Sequence, residues 1–421
     1  MNGTPPLPFA IAPREPHARS PRARAAAAPW GAEVKRILCV RLDNIGDVLM
    51  TTPALRALRE AVPERHITLL ASRAGAAVAR HLPDVDEVIE YDAPWVNGSR
   101  DAGDPDEAAL LARLRAGRFD AAAIFTVYSQ NPLPAATVCF LAGIERRLAH
   151  CRENPYALLT HWLPETEPQA NLRHEVERQL ALVRSVGATV ADTRMRLRVD
   201  PAARESLARK LLQHGIGREG RDRDGRERRW ILVHPGASAA SRRYPPALHA
   251  EALDLLAPAV DCPLLLTGDP GERALTREVA SLMRPATRAQ CVDLAGELTL
   301  AEFIALIESA SLLIANNSGP VHLAAALGTP VVDLYALTNP QHTPWMTPNR
   351  VLYRDVECRW CYRGECPEGH HACLRGVPPA DVAQAARELL GASGAPARRA
   401  EGAEAPAAAH PAAAPAPSPP V

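Results

Sequence analysis

The chain has 421 residues, of which 47% are hydrophobic and 23% are charged, and its 48 basic side chains balance 48 acidic ones. A chain of this length is expected to form two or three domains. Zero net charge does not favour binding to nucleic acid, and no apolar run is long enough to cross a bilayer. Lysine occurs only at Lys35 and Lys210, so we expect arginine wherever the protein binds an anion.

Both ends of the sequence are rich in alanine, proline and arginine and lack apolar periodicity. Such composition buries too little apolar surface to offset chain entropy, so residues 1–32 and 391–421 are predicted to be disordered tails. The first segment lacks the apolar core of a signal peptide. Nine cysteines without an export signal favour a reducing compartment, and the cytoplasm is the expected location.

The first half of the remaining chain alternates between strand and helix patterns. Short runs rich in β-forming residues predict strands at 36–41, 67–71, 85–91, 121–127 and 195–199. Helical spacing predicts helices at 47–60, with a kink or early break at Pro53, and at 174–186. Because strands that alternate with helices form parallel sheets, residues 33–200 are predicted to be an α/β domain.

A mixed-charge stretch, REGRDRDGRERR, follows a short amphipathic helix and has no apolar face, so residues 201–229 are predicted to be a linker. Strand patterns then recur at 230–234, 264–268, 291–294, 312–315 and 330–335, with helices predicted at 247–257, 272–283, 300–309 and 320–327. Residues 230–390 are therefore predicted to be a second α/β domain. Two doubly wound domains leave a cleft at the carboxyl ends of their strands, where ligands bind in this class.

The turn after the first strand, RLDNIGD, lies where a dinucleotide-binding protein would hold pyrophosphate, but the G-x-G-x-x-G pattern is absent. The turn instead offers a carboxylate, Asp47, at the start of a helix. Two interpretations remain open at this point. Asp47 is either a partner of the helix dipole or a general base that faces the cleft.

Two turns in the second half suit an anion. His234 ends a strand and leads into a small-residue turn, with Arg242 and Arg243 close behind. The stretch NNSGPVHLAAALG predicts a helix that begins near Pro320 and ends at Gly328. The free N–H groups at the start of such a helix bind anions, although the same pattern also serves as simple capping.

These stretches, in this order, resemble glycosyltransferase family nine, which includes the bacterial lipopolysaccharide heptosyltransferases. The matching segments are GDVLMTTPALRALR, VHPGAS with RRYP, LTGDPGE, LAGELTL and NNSGPVHLAAALGTPVV. The resemblance implies a GT-B fold, in which two doubly wound Rossmann-like domains face each other across a cleft. It also implies inverting transfer of heptose from ADP-heptose to the inner core of lipopolysaccharide, without a metal ion or other cofactor.

The resemblance also assigns roles to individual positions. It implies that Asp47 is the catalytic aspartate and that Arg41 lies on the acceptor side, where Arg56 and Arg59 on the next helix are further candidates. The positions implied to hold the donor are Arg242, Ser318 and Gly319 at the phosphates, Glu272 at the ribose, Leu298 near the adenine and Asn317 near the sugar. Arg242 replaces the usual lysine of the family, and Asn317 replaces an aspartate, which leaves the identity of the donor open.

The sequence also gathers Cys358, Cys361, Cys366 and Cys373 with two histidines within sixteen residues. This density is typical of a metal site, so structural zinc, free packing thiols and disulfides are all open.

The expected partners are a nucleotide sugar, a lipid-linked core oligosaccharide and the inner face of the inner membrane, where the protein would be peripheral. No nucleic acid is expected. The alternatives are a family-nine transferase with another nucleotide sugar or glycan acceptor, and a non-catalytic nucleotide-binding scaffold with the same fold.

Overall fold

The computed structural model describes residues 29–97, 106–216 and 230–392. Most of the two predicted tails, and residues 217–229 of the predicted linker, lie outside these ranges. The prediction of a tail as far as residue 32 is wrong, because Trp30 is buried and its backbone N–H donates to the Val186 carbonyl at 2.9 Å. Within the described ranges, no helix combines the length and the apolar character that crossing a membrane requires.

The first domain contains a six-stranded parallel sheet in the order β3-β2-β1-β4-β5-β6. Its strands are β1 (Arg36–Arg41), β2 (His66–Ala71), β3 (Glu87–Glu90), β4 (Ala121–Ile124), β5 (Arg146–Cys151) and β6 (His161–Pro164). The first four match predicted strands, whereas β5 and β6 were not predicted. The predicted strand at 195–199 is wrong, since no described strand pairs with these residues.

The helices of this domain are α1 (Ile45–Ala61), α2 (Arg73–Ala79), α3 (Pro94–Asn97), α4 (Glu107–Ala116), α5 (Leu133–Leu141) and α6 (Glu175–Arg184). The predicted break at Pro53 does not occur, because α1 continues through this residue. Proline has no N–H to donate to the carbonyl four residues earlier, that of Leu49. The Thr52 hydroxyl donates to the Leu49 carbonyl at 2.7 Å instead, so the helix keeps this acceptor satisfied.

The second domain repeats the plan with the strand order β12-β11-β10-β7-β8-β9, again all parallel. Its strands are β7 (Ile231–His234), β8 (Leu264–Leu266), β9 (Cys291–Asp293), β10 (Leu312–Asn316), β11 (Val331–Leu334) and β12 (Asn349–Leu352). All but β12 were predicted. The two sheets confirm the predicted α/β class with two doubly wound domains.

A further helix, α7 (Pro201–Gln213), precedes this sheet, and the helices that follow are α8 (Pro246–Leu256), α9 (Arg273–Leu282), α10 (Pro285–Ala289), α11 (Leu300–Glu308), α12 (Gly319–Leu327), α13 (Ala372–Arg375) and α14 (Pro379–Ala392). Single 3₁₀ turns lie at Ala240–Arg242, Ala257–Ala259 and Pro270–Glu272. Helix α7 falls within the predicted linker but packs on the second domain, since Lys210 and Ser206 both bond Glu302 of α11.

One apolar cluster joins the two domains. It contains buried residues of α1 and α6 from the first domain together with residues of α11 and α12 from the second, such as Leu49, Leu180, Ile304 and Leu323. Two other clusters cover the remaining faces of the two sheets. The shared cluster therefore brings the first turn of α1 against the first turn of α12, where the carboxyl ends of β1 and β10 meet.

Candidate functional site

Asp47 lies in the first turn of α1, three residues after the N-cap Asn44. Its Oδ2 accepts from the Asn44 backbone N–H at 3.2 Å, and its Oδ1 accepts from Arg41 Nη2 at 3.1 Å. The side chain retains 15% exposure, so the carboxylate is held on both oxygens and still reaches open space. Burial raises the pKa of Asp47, but the charges of Arg41, His342 and His322 and the hydrogen bond from Asn44 together outweigh burial. The pKa is therefore lowered overall, and this carboxylate is ionised at neutral pH.

Arg41 ends β1 and is completely buried. Its guanidinium lies 2.9 Å from Asp43, 3.1 Å from Asp47 and 2.9 Å from Glu175. A side chain enclosed in this way has no surface to offer to an acceptor. Arg41 was expected on the acceptor side, and the structure places it behind Asp47 with its guanidinium buried among three carboxylates.

The N-terminus of α12 lies directly opposite Asp47. A Cβ atom at Gly46 would come within 2.5 Å of His322 Cδ2, and a Cβ atom at Gly319 would lie 3.6 Å from Ile45. Ser318 is the N-cap in extended conformation, and Gly328 in left-handed conformation ends the helix, as predicted. Pro320 has no N–H and the Val321 N–H donates to the Ser318 carbonyl at 3.1 Å, so Ser318 and Gly319 are the residues that can offer N–H groups at this end of α12.

Arg242 is carried to the same junction by the 3₁₀ turn Ala240–Arg242. The backbone N–H of Ser241 donates to the Gly364 carbonyl at 3.1 Å, and its hydroxyl donates to the Arg363 carbonyl at 2.9 Å, so a loop from the far end of the domain holds the turn. The Nε of Arg242 is buried without a hydrogen-bond partner among the described residues. Its charge is close enough to lower the pKa of His322.

Two histidines that the sequence did not single out as site residues lie between Asp47 and Arg242. Burial lowers the pKa of His322 to about 3, and burial also lowers the pKa of His342, so both rings are neutral at pH 7. The Nδ1 of His322 and the Nε2 of His342 are buried and have no partner among the described residues. His342 follows β11, and a polar residue after a parallel strand was the signal that could have revealed it.

Glu272 lies beside the carboxyl ends of β7 and β8. Its Oε2 accepts from the Asp269 backbone N–H at 2.9 Å and lies 3.6 Å from His234 Nε2. A Cβ atom at Gly236 would overlap the Glu272 carboxylate, so glycine is required for this approach. Leu298 is partly buried against the shared core on the same side of the domain.

Asn317 is nearly buried at the end of β10. Its Nδ2 donates to Asp333 Oδ2 at 3.0 Å and to the His342 carbonyl at 2.9 Å. Burial raises the pKa of Asp333 well above its ordinary value. An amide at position 317 can donate to this carboxyl group, whereas an aspartate there would have to share a proton with it.

Arg56 and Arg59 lie farther along α1, away from the junction. Arg56 is buried and donates to the carbonyls of Asp192 and Arg194. Arg59 bonds the Arg65 carbonyl at 2.5 Å and also pairs with Asp86. Both side chains brace segments of the first domain, and the expectation that they bind the acceptor stays a prediction.

The four clustered cysteines, Cys358, Cys361, Cys366 and Cys373, line one cavity together with His370 and His371. Among the described residues, no three metal-ligating side chains are close enough together to hold an ion, and all four thiols are free. Cys358 Sγ lies 3.9 Å from His370 Nε2. Structural zinc at these cysteines therefore stays a prediction beside that of free packing thiols.

Residues 108–372, more than half of the chain, match the model of the family described as "Glycosyltransferase family 9 (heptosyltransferase)". The chain is 26% identical over 363 residues to lipopolysaccharide heptosyltransferase 2 of Escherichia coli strain K12, covering 84% of this chain and 98% of that protein. It is similar to the structure of E. coli ADP-heptose lipopolysaccharide heptosyltransferase II, with a TM-score of 0.66, 24% identity, and coverage of 86% and 100%. It is also similar to a family 9 glycosyltransferase from Veillonella parvula, with a TM-score of 0.69, 21% identity, and coverage of 86% and 99%.

Proposed function

The chain belongs to glycosyltransferase family 9, and we propose that it transfers heptose from ADP-heptose to the inner core of lipopolysaccharide with inversion at the anomeric carbon. The observation that carries this proposal is the position of Asp47. An ionised, partly exposed carboxylate on the first domain faces an arginine and a helix N-terminus on the second domain. The names of the relatives in E. coli support heptose as the sugar and ADP as the carrier.

Asp47 would act as the general base. The hydroxyl oxygen of the acceptor attacks the anomeric carbon of the donor while its proton passes to the Asp47 carboxylate. The bond between that carbon and the phosphate oxygen breaks, and ADP leaves with the electron pair. Because attack and departure occur on opposite faces of the sugar, the configuration is inverted. Such proton transfer typically contributes about 10²–10⁴-fold to the rate.

The departing ADP carries growing negative charge, which the second domain would stabilise. The N–H groups of Ser318 and Gly319 at the start of α12 suit phosphate oxygens. The unpartnered Nε of Arg242 can donate to the same group, and guanidinium binds phosphate through two N–H groups at once. We propose that these donors take the part that a divalent cation plays in other transferases.

The remainder of the donor would extend along the carboxyl ends of β7 and β8. Glu272 would accept hydrogen bonds from the ribose hydroxyls, and Leu298 would pack against the adenine. Asn317 would lie near the sugar, where its side chain is already bonded to Asp333 and to the His342 carbonyl. The acceptor is a lipid-linked core oligosaccharide in this proposal, so the enzyme would act at the inner face of the inner membrane from the cytoplasm, with no role for nucleic acid.

The test compares the wild-type protein with Asp47→Asn, in an assay that follows transfer from ADP-heptose to lipopolysaccharide lacking its heptoses. The amide cannot accept the proton, so we expect transfer to fall about 100-fold or more. The affinity for ADP should remain within about twofold, since Asp47 lies across the junction from the phosphate donors. Asp355→Asn, at an exposed position that pairs only with Arg359, is the matched control.

A transfer rate within a few-fold of wild type in Asp47→Asn would exclude this residue as the base. Transfer by the wild type from a UDP- or GDP-sugar in preference to ADP-heptose would favour a different donor. Binding of ADP without transfer from any of these sugars would favour a non-catalytic scaffold.

A further inference from the structure

Arg41 is surrounded by carboxylates from three different parts of the first domain. Asp43 belongs to the turn after β1, Asp47 to the first turn of α1 and Glu175 to the first turn of α6. They lie between 2.9 and 3.1 Å from three different nitrogens of the guanidinium, which has no exposed surface. Nη1 donates to Glu175 and Nη2 donates to Asp47, whereas Nε lies close to Asp43 without a hydrogen bond, so the buried guanidinium is enclosed by protein carboxylates.

Two of the three carboxylates are themselves held in place. Glu175 Oε1 accepts from Gln179 Nε2 at 2.6 Å, and the same amide donates to the Thr126 carbonyl at 3.0 Å. Asp43 accepts a hydrogen bond from the side chain of Gln130. Glu175 and Asp43 therefore hold the guanidinium at Nη1 and Nε. The remaining nitrogen, Nη2, donates to Asp47.

The third carboxylate differs from the other two because it keeps access to the cleft. Arg41 holds Oδ1 of Asp47 and the Asn44 N–H holds Oδ2, so the carboxylate cannot rotate freely. The charged and titratable groups that face it are Arg41 on β1, Asp43 in the turn, His322 on α12 and His342 after β11, and Glu175 acts through Arg41. Of these groups, only Arg41 carries a permanent positive charge in direct contact with Asp47.

We propose that Arg41, clamped by Asp43 and Glu175, is a positioning residue that orients the Asp47 carboxylate toward the acceptor and stabilises its charge. This proposal rests on the proposed function, in which Asp47 is the base. A buried guanidinium that pairs with several carboxylates is costly to desolvate and contributes little net stability. We therefore attribute its position behind Asp47 to catalysis rather than to stability.

The ionisation of the neighbouring groups supports the same role. Burial raises the pKa of Asp43 to about 6, although Arg41 opposes this shift. Burial raises the pKa of Asp47 too, but Arg41, His342, His322 and the Asn44 N–H together lower this pKa below its ordinary value. The two aspartates on one guanidinium therefore differ in their titration, and Asp47 is the one that stays ionised at the pH at which Asp43 begins to take up a proton.

The experiment compares Arg41→Gln and Arg41→Lys with the wild type, using transfer from ADP-heptose to heptose-deficient lipopolysaccharide from about pH 3, below the ordinary pKa of an aspartate, upward. In Arg41→Gln we expect kcat to fall about 10- to 100-fold with KM for both substrates nearly unchanged. The acid limb of the profile should move to higher pH by about one unit or more, because an adjacent arginine lowers an aspartate pKa by this amount. Arg41→Lys keeps the charge, so its acid limb should stay near that of the wild type.

If Arg41→Gln instead raised KM for the acceptor and left kcat and the pH profile unchanged, Arg41 would bind the acceptor and the proposal would be wrong. Arg113→Gln, at an exposed pair with Glu87, serves as the control for loss of a surface arginine. Should Arg41→Gln fail to fold, Glu175→Gln replaces it, since the amide still offers an oxygen to Arg41. We then expect kcat to fall several-fold at constant KM. An unchanged kcat would contradict the proposal that Glu175 holds Arg41 in place.

Asp47→Asn is measured in parallel so that the two proposals fail separately. A nearly wild-type rate in Asp47→Asn would remove the proposed function itself. An inactive Asp47→Asn, together with an Arg41→Gln variant whose acid limb does not move, would leave the base in place and overturn only the role of Arg41.

Discussion

At Gly46, the absence of a side chain allows two helices from different domains to touch. The first turn of α1 packs against the ring of His322, which is buried in the first turn of α12. This contact fixes how far Asp47 lies from the helix N-terminus that we propose binds phosphate. A single methyl group at this position would therefore change the geometry of the site without altering any charged group.

We expect Gly46→Ala to separate the two helices, because the new Cβ would lie 2.5 Å from His322 Cδ2 and the buried ring has little room to move. Transfer should fall at least tenfold, and the free energy of unfolding should drop by about 1–3 kcal/mol, as for other overpacked cores. Chemical denaturation and the transfer assay measure the two effects. Gly319→Ala, whose Cβ would meet Ile45 only at 3.6 Å, should unfold like the wild type, and equal stability of both variants would contradict this explanation.

Single residues differ in how well the sequence predicts them. Asp47 was recognisable because it follows a strand and begins a helix at the carboxyl edge of a parallel sheet. The role of Arg41 was not, because its partner Glu175 lies 134 positions away and only the packing of α6 on α1 brings them together. Arg56 and Arg59 share a helix with Asp47, but the pattern of the sequence does not show that nearby backbone carbonyls engage both side chains.

Helices and strands also differ in how well the sequence predicts them, because some follow from local sequence and others depend on contacts between distant residues. Helices and apolar strands follow from local periodicity, which explains why α12, β7 and β10 were predicted. Strand β5 was missed because its sequence, RRLAHC, begins with two arginines, and one of them, Arg147, is buried by donating to backbone carbonyls. Residues 195–199 alternate like a strand, yet the edge of the first sheet is already occupied by β6.

Glu302 of α11 links helix α7 to the second domain. Its carboxylate accepts from Lys210 at 2.7 Å, from Ser206 at 2.7 Å and from the Thr299 backbone N–H at 2.8 Å. Burial raises the pKa of Glu302, but these bonds outweigh it and lower the pKa from 4.5 to about 2. A depressed pKa of this kind adds stability above pH 4.5, and the contribution is lost as the pH falls toward 2.

Glu302→Gln should therefore lower the free energy of unfolding by about 1–2 kcal/mol at neutral pH. The difference from the wild type should shrink as the pH falls from 4.5 toward 2, where the native carboxylate also becomes protonated. Denaturant titrations across this range measure it. Glu308 also lies on α11 and pairs with Arg204 of α7 at the surface. Glu308→Gln removes this pair and should change the free energy of unfolding little. A difference that does not depend on pH would show that the charge of Glu302 is unimportant.

At the scale of the whole molecule, the two domains share one apolar cluster and a set of direct contacts. The ring of Trp345 lies 4.5 Å from that of His174, and its Nε1 donates to the Thr193 carbonyl at 2.8 Å. The Glu175 N–H donates to the Gln341 carbonyl at 3.1 Å. A shared core of this kind favours cooperative unfolding over the independent melting of two domains.

We expect the wild-type protein to unfold in one calorimetric transition and Trp345→Ala to unfold in two, or in one that is clearly broader. Loss of the ring should cost about 2–4 kcal/mol at the contact between the domains. Trp360→Ala, at a side chain that is 38% exposed, is the control and should keep a single transition. Two separate transitions in the wild type would contradict the idea that the cluster couples the domains.

The shared cluster also limits how the protein can be rebuilt. A hybrid that joins this first domain to the second domain of a relative would pack α1 and α6 against the α12 of another protein. Such a hybrid should therefore take all three helices from the same protein. Some loops that follow the strands also reach this cluster, since Phe125 and Leu294 belong to it and Leu298 and Trp345 pack against it. An exchange of loops for new donor or acceptor preferences must therefore keep these four side chains.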